Sequence, residues 1–283
     1  MQDLAHDLPA PAAAFPDSGP DVDPRFSRAS ATLVVAVGGF DPTGGAGVVR
    51  DLLTARTLGA RVRLVPTAWT AQGAAGVRSV EPRRPAALAQ AVTDALDGAP
   101  AGRTAVKLGM MPDGAAAQAV LEALRAFTGP VVFDPVLGAS SGGALFTGDP
   151  GELLALAVRS ALVTPNTGEA ERLTGEGVAD LDGAGRAGGA LVAAGAPAAL
   201  IKGGHLTGAE AVDLLVTAQR TLTFTAPRLS GPAVRGTGCA LATAIAVGLA
   251  SGQELEAAIA DAKAWLHAAL RQAVRVGDEW HLS

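Results

Sequence analysis

Residues 32–58, TLVVAVGGFDPTGGAGVVRDLLTARTL, change their periodicity halfway along. From Thr32 to Val37 the run is aliphatic without a polar break, which suits a strand covered on both faces. Gly38 and Gly39 bound it. Beyond the glycine-rich turn, Val48, Leu52 and Ala55 recur on one face of a helix from about Gly47 to Leu58, and Gly59 stops it. A buried strand, a glycine turn and a helix make half of a parallel β-α-β unit.

The same rhythm continues outward from this stretch. Val62–Thr67, Ala105–Leu108, Val131–Phe133, Leu162–Thr164 and Ala198–Lys202 read as strands. Helical patterns fall between them at Pro85–Leu96, with the proline in the first turn, and near Ala115–Ala126, Glu152–Val158 and Ala187–Ala194. Val212–Val216 and Thr221–Phe224 read as a hairpin, and two Ala-rich helices, about Ala240–Ala250 and Glu254–Val274, end the chain. The pattern predicts an α/β fold with a mainly parallel central sheet and helices on both faces. No repeat of fixed period occurs, and no linker divides the chain after residue 30, so residues 31–283 are expected to form a single domain. Met1–Ser30, rich in Ala, Pro and Asp, is expected to be a disordered tail or an arm packing on a partner subunit. It lacks the basic start and apolar core of a secretory signal.

Composition narrows the function. Aromatics make up only 4% and Tyr is absent, which suits tightly packed helices better than an all-β sandwich. A net charge of −5 with scattered Arg residues disfavours nucleic acid as a partner. A single Cys excludes an intramolecular disulfide and a cysteine zinc cluster, and the four His have no metal-binding spacing. No apolar run approaches the roughly 20 residues that span a bilayer. The chain reads as cytoplasmic, with neither nucleic acid nor membrane as partner.

In sheets of this kind ligands bind outside the carboxyl ends of the strands. There, Arg235-Gly236-Thr237-Gly238-Cys239 leads directly into an apolar helix. Two glycines let successive N–H groups converge at the helix N-terminus, a ready anion site. Cys239 falls in the first turn, where the helix field favours a thiolate, so its pKa is expected below the usual value of about 8.5. The same residues also suit an ordinary loop and a small buried cysteine. Asp41–Gly47 is a second glycine turn, but it is neither a P-loop nor a full dinucleotide fingerprint. A phosphate turn and a purely structural turn fit it equally.

Seven motifs in order resemble the hydroxymethylpyrimidine/phosphomethylpyrimidine kinases of thiamine biosynthesis, within the ribokinase-like superfamily. They are GFDPTGGAGVVRD (39–51), TAWTAQ (67–72), KLGM (107–110), DPV (134–136), TPNTGEA (164–170), KGGH (202–205) and GTGC (236–239), and they span nearly everything from residue 32 to about 270. The resemblance implies an ATP-dependent kinase whose partners are ATP and a small pyrimidine, with Mg²⁺ as cofactor and a homodimer as an expected assembly. It implies that Gly39, Asp51, Gln72, Met110 and Val136 surround the pyrimidine. Asn166 and Lys202, with Thr237, would lie along the ATP phosphates, and Glu169 and Asp134 on the metal side. Cys239 would be the catalytic base, with Gly236, Thr237 and Gly238 forming the anion hole. Asp213 matches an acidic position to which no chemical role is attached.

The match also departs from the family. Phe40 replaces a small Ser or Thr beside the pyrimidine pocket, which it would narrow; Gly73 replaces Asn; Arg235 replaces His; and Gly231–Val234, Trp69 and Gly138 are atypical. These changes leave two neighbouring readings: a pyridoxal or pyridoxine kinase of the same fold, and a degenerate binder of a thiamine precursor. A nicotinamide-dependent oxidoreductase, suggested by the first glycine turn, lacks the rest of its fingerprint.

Overall fold

Strand β1 (Leu33–Phe40) is buried along nearly its whole length. Leu33, Val35 and Val37 join one apolar core and Val34 the other, as a period of two requires for a strand covered on both faces. The computed structural model describes residues 23–73, 76–139, 142–204 and 206–283. After β1 come α1 (Gly47–Thr57), β2 (Arg61–Gly73), β3 (Gly76–Pro82), α2 (Pro85–Leu96), β4 (Thr104–Leu108), α3 (Gly114–Ala123) and β5 (Val131–Phe133). The middle of the chain adds α4 (Leu154–Arg159), β6 (Leu162–Val163), α5 (Thr167–Thr174), α6 (Leu181–Ala193), β7 (Ala198–Ile201), β8 (Glu210–Thr217) and β9 (Thr221–Pro227). The last segment holds β10 (Val234–Arg235), α7 (Thr237–Ala250), α8 (Leu255–Leu270), β11 (Val274–Val276) and β12 (Glu279–His281).

The main sheet runs β3-β2-β1-β4-β5-β6-β7-β8-β9. Strands β2, β1, β4, β5, β6 and β7 are parallel. The pairs β2–β3, β7–β8 and β8–β9 at the two ends are antiparallel. Side chains of α2 to α6 build the core on one face, and those of α1, α7 and α8 build it on the other. Helix α7 lies innermost; it is buried almost all round, and its Ala- and Gly-rich sequence lets it sit close on the strands. Among the described residues no helix is long and apolar enough to cross a membrane.

Several boundaries differ from the sequence reading. Residues 68–73, beyond the strand read at Val62–Thr67, extend β2, and residues 76–82 form β3, which pairs with that extension. Their alternating burial, with Trp69 about half exposed, hides the strand from a search for continuous apolar runs. Helix α6 starts at Leu181, well before Ala187, because the Asp180 carboxylate accepts from the Gly183 N–H and caps it. Helix α8 ends at Leu270, and the residues beyond it join β10 in a small β10-β12-β11 sheet. Strands β10, β11 and β12 mix polar with apolar residues and leave no aliphatic run to read.

Residues Met1–Val22 lie outside the described residues. The expected tail boundary at Ser30 moves back toward them, because Asp23–Ala31 contains two short 3₁₀ turns. Phe26 is 1% exposed and packs with Ala29 into the core under α7 and α8. Phe26→Ala should therefore cost about 3–5 kcal/mol of stability, the usual range for emptying a buried Phe position. Urea unfolding of the variant beside the wild type measures it, and an unchanged midpoint would return Phe26 to the tail.

Candidate active site

The carboxyl ends of the parallel strands open into a cavity of about 1000 Å³. Gly38 and Gly39 from β1, Lys107 from β4, Met110 beyond its end, and Asp134 and Val136 beyond β5 form its floor and one wall. Asn166, Glu169 and Lys202 follow along the sheet, and Gly236, Thr237, Gly238 and Cys239 enter from the start of α7. All the site residues expected from sequence line this one cavity except Asp51.

The turn before α7 is shaped by its neighbour loop. Gly236, the N-cap, has φ +72°, and a methyl group there would collide with the Gly45 carbonyl oxygen. Gly47 opens α1 at φ +61°, where a methyl group would meet the Gly39 carbonyl. Both positions need glycine for their conformation and for the close approach. The two glycine turns therefore rest against each other, and the free N–H groups at the start of α7 face the cavity.

Beside this turn lies a charged cluster. Lys202 Nζ is 2.5 Å from Asp134 Oδ1 and 3.9 Å from Glu169 Oε2. A methyl group at Gly238 would sit 3.0 Å from Lys202 Nζ, so the ammonium adjoins the α7 turn. Burial works against the Lys202 charge, but Asp134 and Glu169 outweigh it and hold the ammonium protonated above its ordinary range. Burial pushes the Glu169 carboxyl up to about 7, with Lys202 opposing and Asp134 adding to the rise. Asn166 and Glu169 also form a capping box at α5: Asn166 Oδ1 accepts from Glu169 N, and Glu169 Oε2 accepts from Asn166 N. Local helix capping thus fixes Glu169 of the cluster and Asn166 beside it.

The other end of the cavity is apolar. Met110 and Leu145 pack with Ala68, and Val136 lies against them. Gln72 closes this end; its Oε1 accepts from Arg235 Nη2 at 3.1 Å and its Nε2 donates to Thr70 Oγ1 at 2.9 Å. Phe40, expected to narrow the pocket, is not among the residues lining it; its carbonyl accepts from Thr70 Oγ1. Ala226, Pro227, Leu229, Leu266 and Leu270 form a further apolar wall beyond the charged cluster.

Asp51 corrects the sequence reading. It is fully buried and does not line the cavity; it sits beneath, 3.0 Å from Lys107 Nζ, and accepts from Thr243 Oγ1 at 2.8 Å. Its place on the inward face of α1 puts it against the sheet. Burial opposes the Lys107 charge, but Asp51 outweighs it and holds Lys107 protonated. Lys107 is therefore the residue that touches the cavity, and sequence reading passed it over inside the KLGM motif. Asp213, given no role, accepts from Gly203 N and pairs with Lys263, holding the turn that follows β7. Arg235 and Asp41, both buried, were legible only as a departure from a motif and a loop residue. His205, the end of the KGGH motif, lies outside the described residues.

Cys239 is a second correction. Burial pushes its thiol up to about 11, with Lys107 opposing and Asp51 and Asp134 adding to the rise. The helix field and the Gly47 N–H that bonds to the thiol do not overcome desolvation at a side chain this enclosed. The expected lowered pKa is absent.

Asp134 and Glu169 are two buried carboxylates around one ammonium, and among the described residues no group of three acidic, His or Cys side chains comes together. That set fits Mg²⁺, which keeps much of its water shell and takes one or two carboxylates beside phosphate oxygens. It does not suit a metal held wholly by protein.

An anion turn at a helix N-terminus, a lysine with paired carboxylates, and an apolar pocket closed by an amide define a phosphotransferase acting on a small molecule. The phosphomethylpyrimidine kinase family model matches residues 41–282. A hydroxymethylpyrimidine/phosphomethylpyrimidine kinase of Rhizobium meliloti (strain 1021) is 40% identical over 250 residues, covering 86% of this chain and 92% of that one. The crystal structure of phosphomethylpyrimidine kinase from Clostridium difficile 630 is similar at a TM-score of 0.71 and 29% identity, covering 84% of this chain and 99% of that one. The pyridoxal kinase from Staphylococcus aureus in complex with ADP is similar at 0.80 and 25%, covering 89% and 92%. The chain belongs to the phosphomethylpyrimidine kinase family. It has the ribokinase-like fold, and as a kinase it takes ATP as a substrate.

Cys239 is the single cysteine, so its ionisation can be followed in the whole protein. The ligand-free thiol should titrate near pH 11 by ultraviolet thiolate absorbance. A midpoint below the reference of about 8.5 would mean that the helix terminus outweighs burial.

Proposed function

We propose that the chain phosphorylates 4-amino-5-hydroxymethyl-2-methylpyrimidine, its monophosphate, or both in turn, at the expense of ATP, as a step of thiamine biosynthesis. The observation that carries this reading is the position of the α7 turn, which lies between an apolar pocket closed by Gln72 and the Lys202–Asp134–Glu169 cluster. A hydroxymethyl group on a ring seated in that pocket meets the anion turn, with charge-neutralising groups on its far side.

The roles follow from chemistry. Met110 and Val136 pack the faces of the ring, Gly39 allows it close to the backbone, and the Gln72 amide pairs with its polar edge. The N–H groups of Gly236, Thr237 and Gly238 hold the oxygens of the transferring phosphoryl group. Lys202, Asn166 and Thr237 line the path of the ATP phosphates, and the apolar wall at Leu229, Leu266 and Leu270 receives the base. Glu169 and Asp134 would hold Mg²⁺ through its water shell; when bound, the ion neutralises charge on the phosphates. As the substrate oxygen bonds to the γ-phosphorus and the bond to the β-phosphate oxygen breaks, the substrate proton passes to the Cys239 thiolate and ADP leaves. Residues 23–283 act as one kinase domain within a cytoplasmic homodimer.

Because the thiol is neutral at pH 7, its basic form is scarce there and rises about tenfold with each pH unit below the thiol pKa. With ATP and hydroxymethylpyrimidine, kcat/KM should climb in step with that fraction above neutrality. Cys239→Ala should lose the slope and lower kcat by about 10²–10⁴-fold while both substrates still bind. Turnover by Cys239→Ala near the wild-type rate would place the base elsewhere. Pyridoxal turned over faster than hydroxymethylpyrimidine would replace the pyrimidine with a pyridine substrate.

A further inference from the structure

Gln72 closes the ring pocket, but it does not hold its own position. Its Oε1 faces the Arg235 guanidinium, which can only donate, so the atom there must be the oxygen. Its Nε2 donates to Thr70 Oγ1, whose single hydrogen is already given to the Phe40 carbonyl at 3.0 Å. Thr70 therefore presents only a lone pair. The amide cannot turn over without setting its NH₂ against a cation and its oxygen against another lone pair. One N–H of Nε2 and one lone pair of Oε1 remain for a ligand.

Arg235 is itself held on three sides. Nη2 also donates to Asp41 Oδ2 at 3.1 Å, and Nη1 donates to both oxygens of Glu279 at 2.9 and 2.8 Å. Asp41 belongs to the first glycine turn and Glu279 to β12, so the guanidinium bridges the two ends of the folded chain at the wall of the pocket. It is 7% exposed. A planar fork with five donors can serve these partners together, whereas an ammonium is a single point of charge on a flexible stem.

We infer that Arg235 is a positioning residue for substrate choice: it locks the Gln72 amide in one orientation, so that the pocket takes a ring edge bearing an acceptor nitrogen next to an amino group. The inference rests on the pyrimidine reading above. A ring without that edge leaves the remaining N–H or the remaining lone pair of Gln72 unpaired in a buried place.

Calorimetric binding of hydroxymethylpyrimidine, pyridoxal and ATP to the full chain tests this with Arg235→Lys, Glu279→Gln and Gln72→Leu. Arg235→Lys should weaken hydroxymethylpyrimidine about 10–100-fold, the scale of one buried polar group left unpaired, and leave pyridoxal and ATP binding unchanged. Glu279 does not line the cavity, and Glu279→Gln should give a smaller loss of the same kind, which serves as the readout if Arg235→Lys folds poorly. In the Gln72→Leu background Arg235→Lys should cost nothing further. Equal weakening of both rings, or an undiminished effect in the Gln72→Leu background, would overturn the inference alone. A wild-type chain that does not bind hydroxymethylpyrimidine would overturn the reading of the site and the inference with it.

Discussion

The chemistry of this molecule hangs on one close approach, the Gly236 backbone against the Gly45 carbonyl oxygen. The α7 turn could not come so near if Gly236 carried a side chain. That contact sets the start of α7 over the strand ends, with one glycine turn on its flank and Lys202 beside Gly238. Beneath it, Asp51 of α1, Lys107 of β4 and Thr243 of α7 join in a buried charged cluster that ties the same elements together from below. Removing one member of such a pair leaves an uncompensated charge, typically at a cost of about 3–5 kcal/mol. The turn is fixed from both sides, which an anion hole requires if it is not to reorganise during reaction.

The enclosure that builds the anion hole also sets the state of Cys239. A helix N-terminus contributes about 0.3–1 kcal/mol toward a nearby negative charge when exposed. At a side chain buried as deeply as this one, desolvation exceeds that contribution, and two carboxylates add to it. Lys107 and the Gly47 N–H oppose them without overcoming them. The resting site therefore carries its charge on lysines and carboxylates and keeps its thiol neutral. Glu169 is poised differently: its capping role needs the carboxylate oxygen as an acceptor, while burial favours the protonated form.

Much of this was legible in the sequence, for identifiable reasons. Buried parallel strands write continuous aliphatic runs, so β1, β4, β5 and β7 were readable, as were the helices that follow them. The glycine turn before Cys239 was legible from its own residues, whereas Gln72, Met110, Asp134, Asn166, Glu169 and Lys202 were named only by the resemblance of seven short motifs taken together. What could not be read depends on contacts distant in sequence. Asp51 looks like any acidic helix residue until Lys107 is seen opposite it. Arg235 gains its meaning only from Asp41, Gln72 and Glu279, which come from three other segments. The thiol pKa was misjudged because helix position is local and burial is not.

The most direct test of the account is Gly236→Ala, read by the kinetics of both substrates together with thermal unfolding. A methyl group there forces a strained φ and pushes the α7 turn off Gly45. Because the turn is the shared boundary of the ring pocket and the phosphate cluster, kcat/KM should fall for ATP and for hydroxymethylpyrimidine in the same variant, while the protein stays folded at the assay temperature. A folded Gly236→Ala protein with wild-type kcat/KM for both substrates would contradict the claim that this contact organises the site.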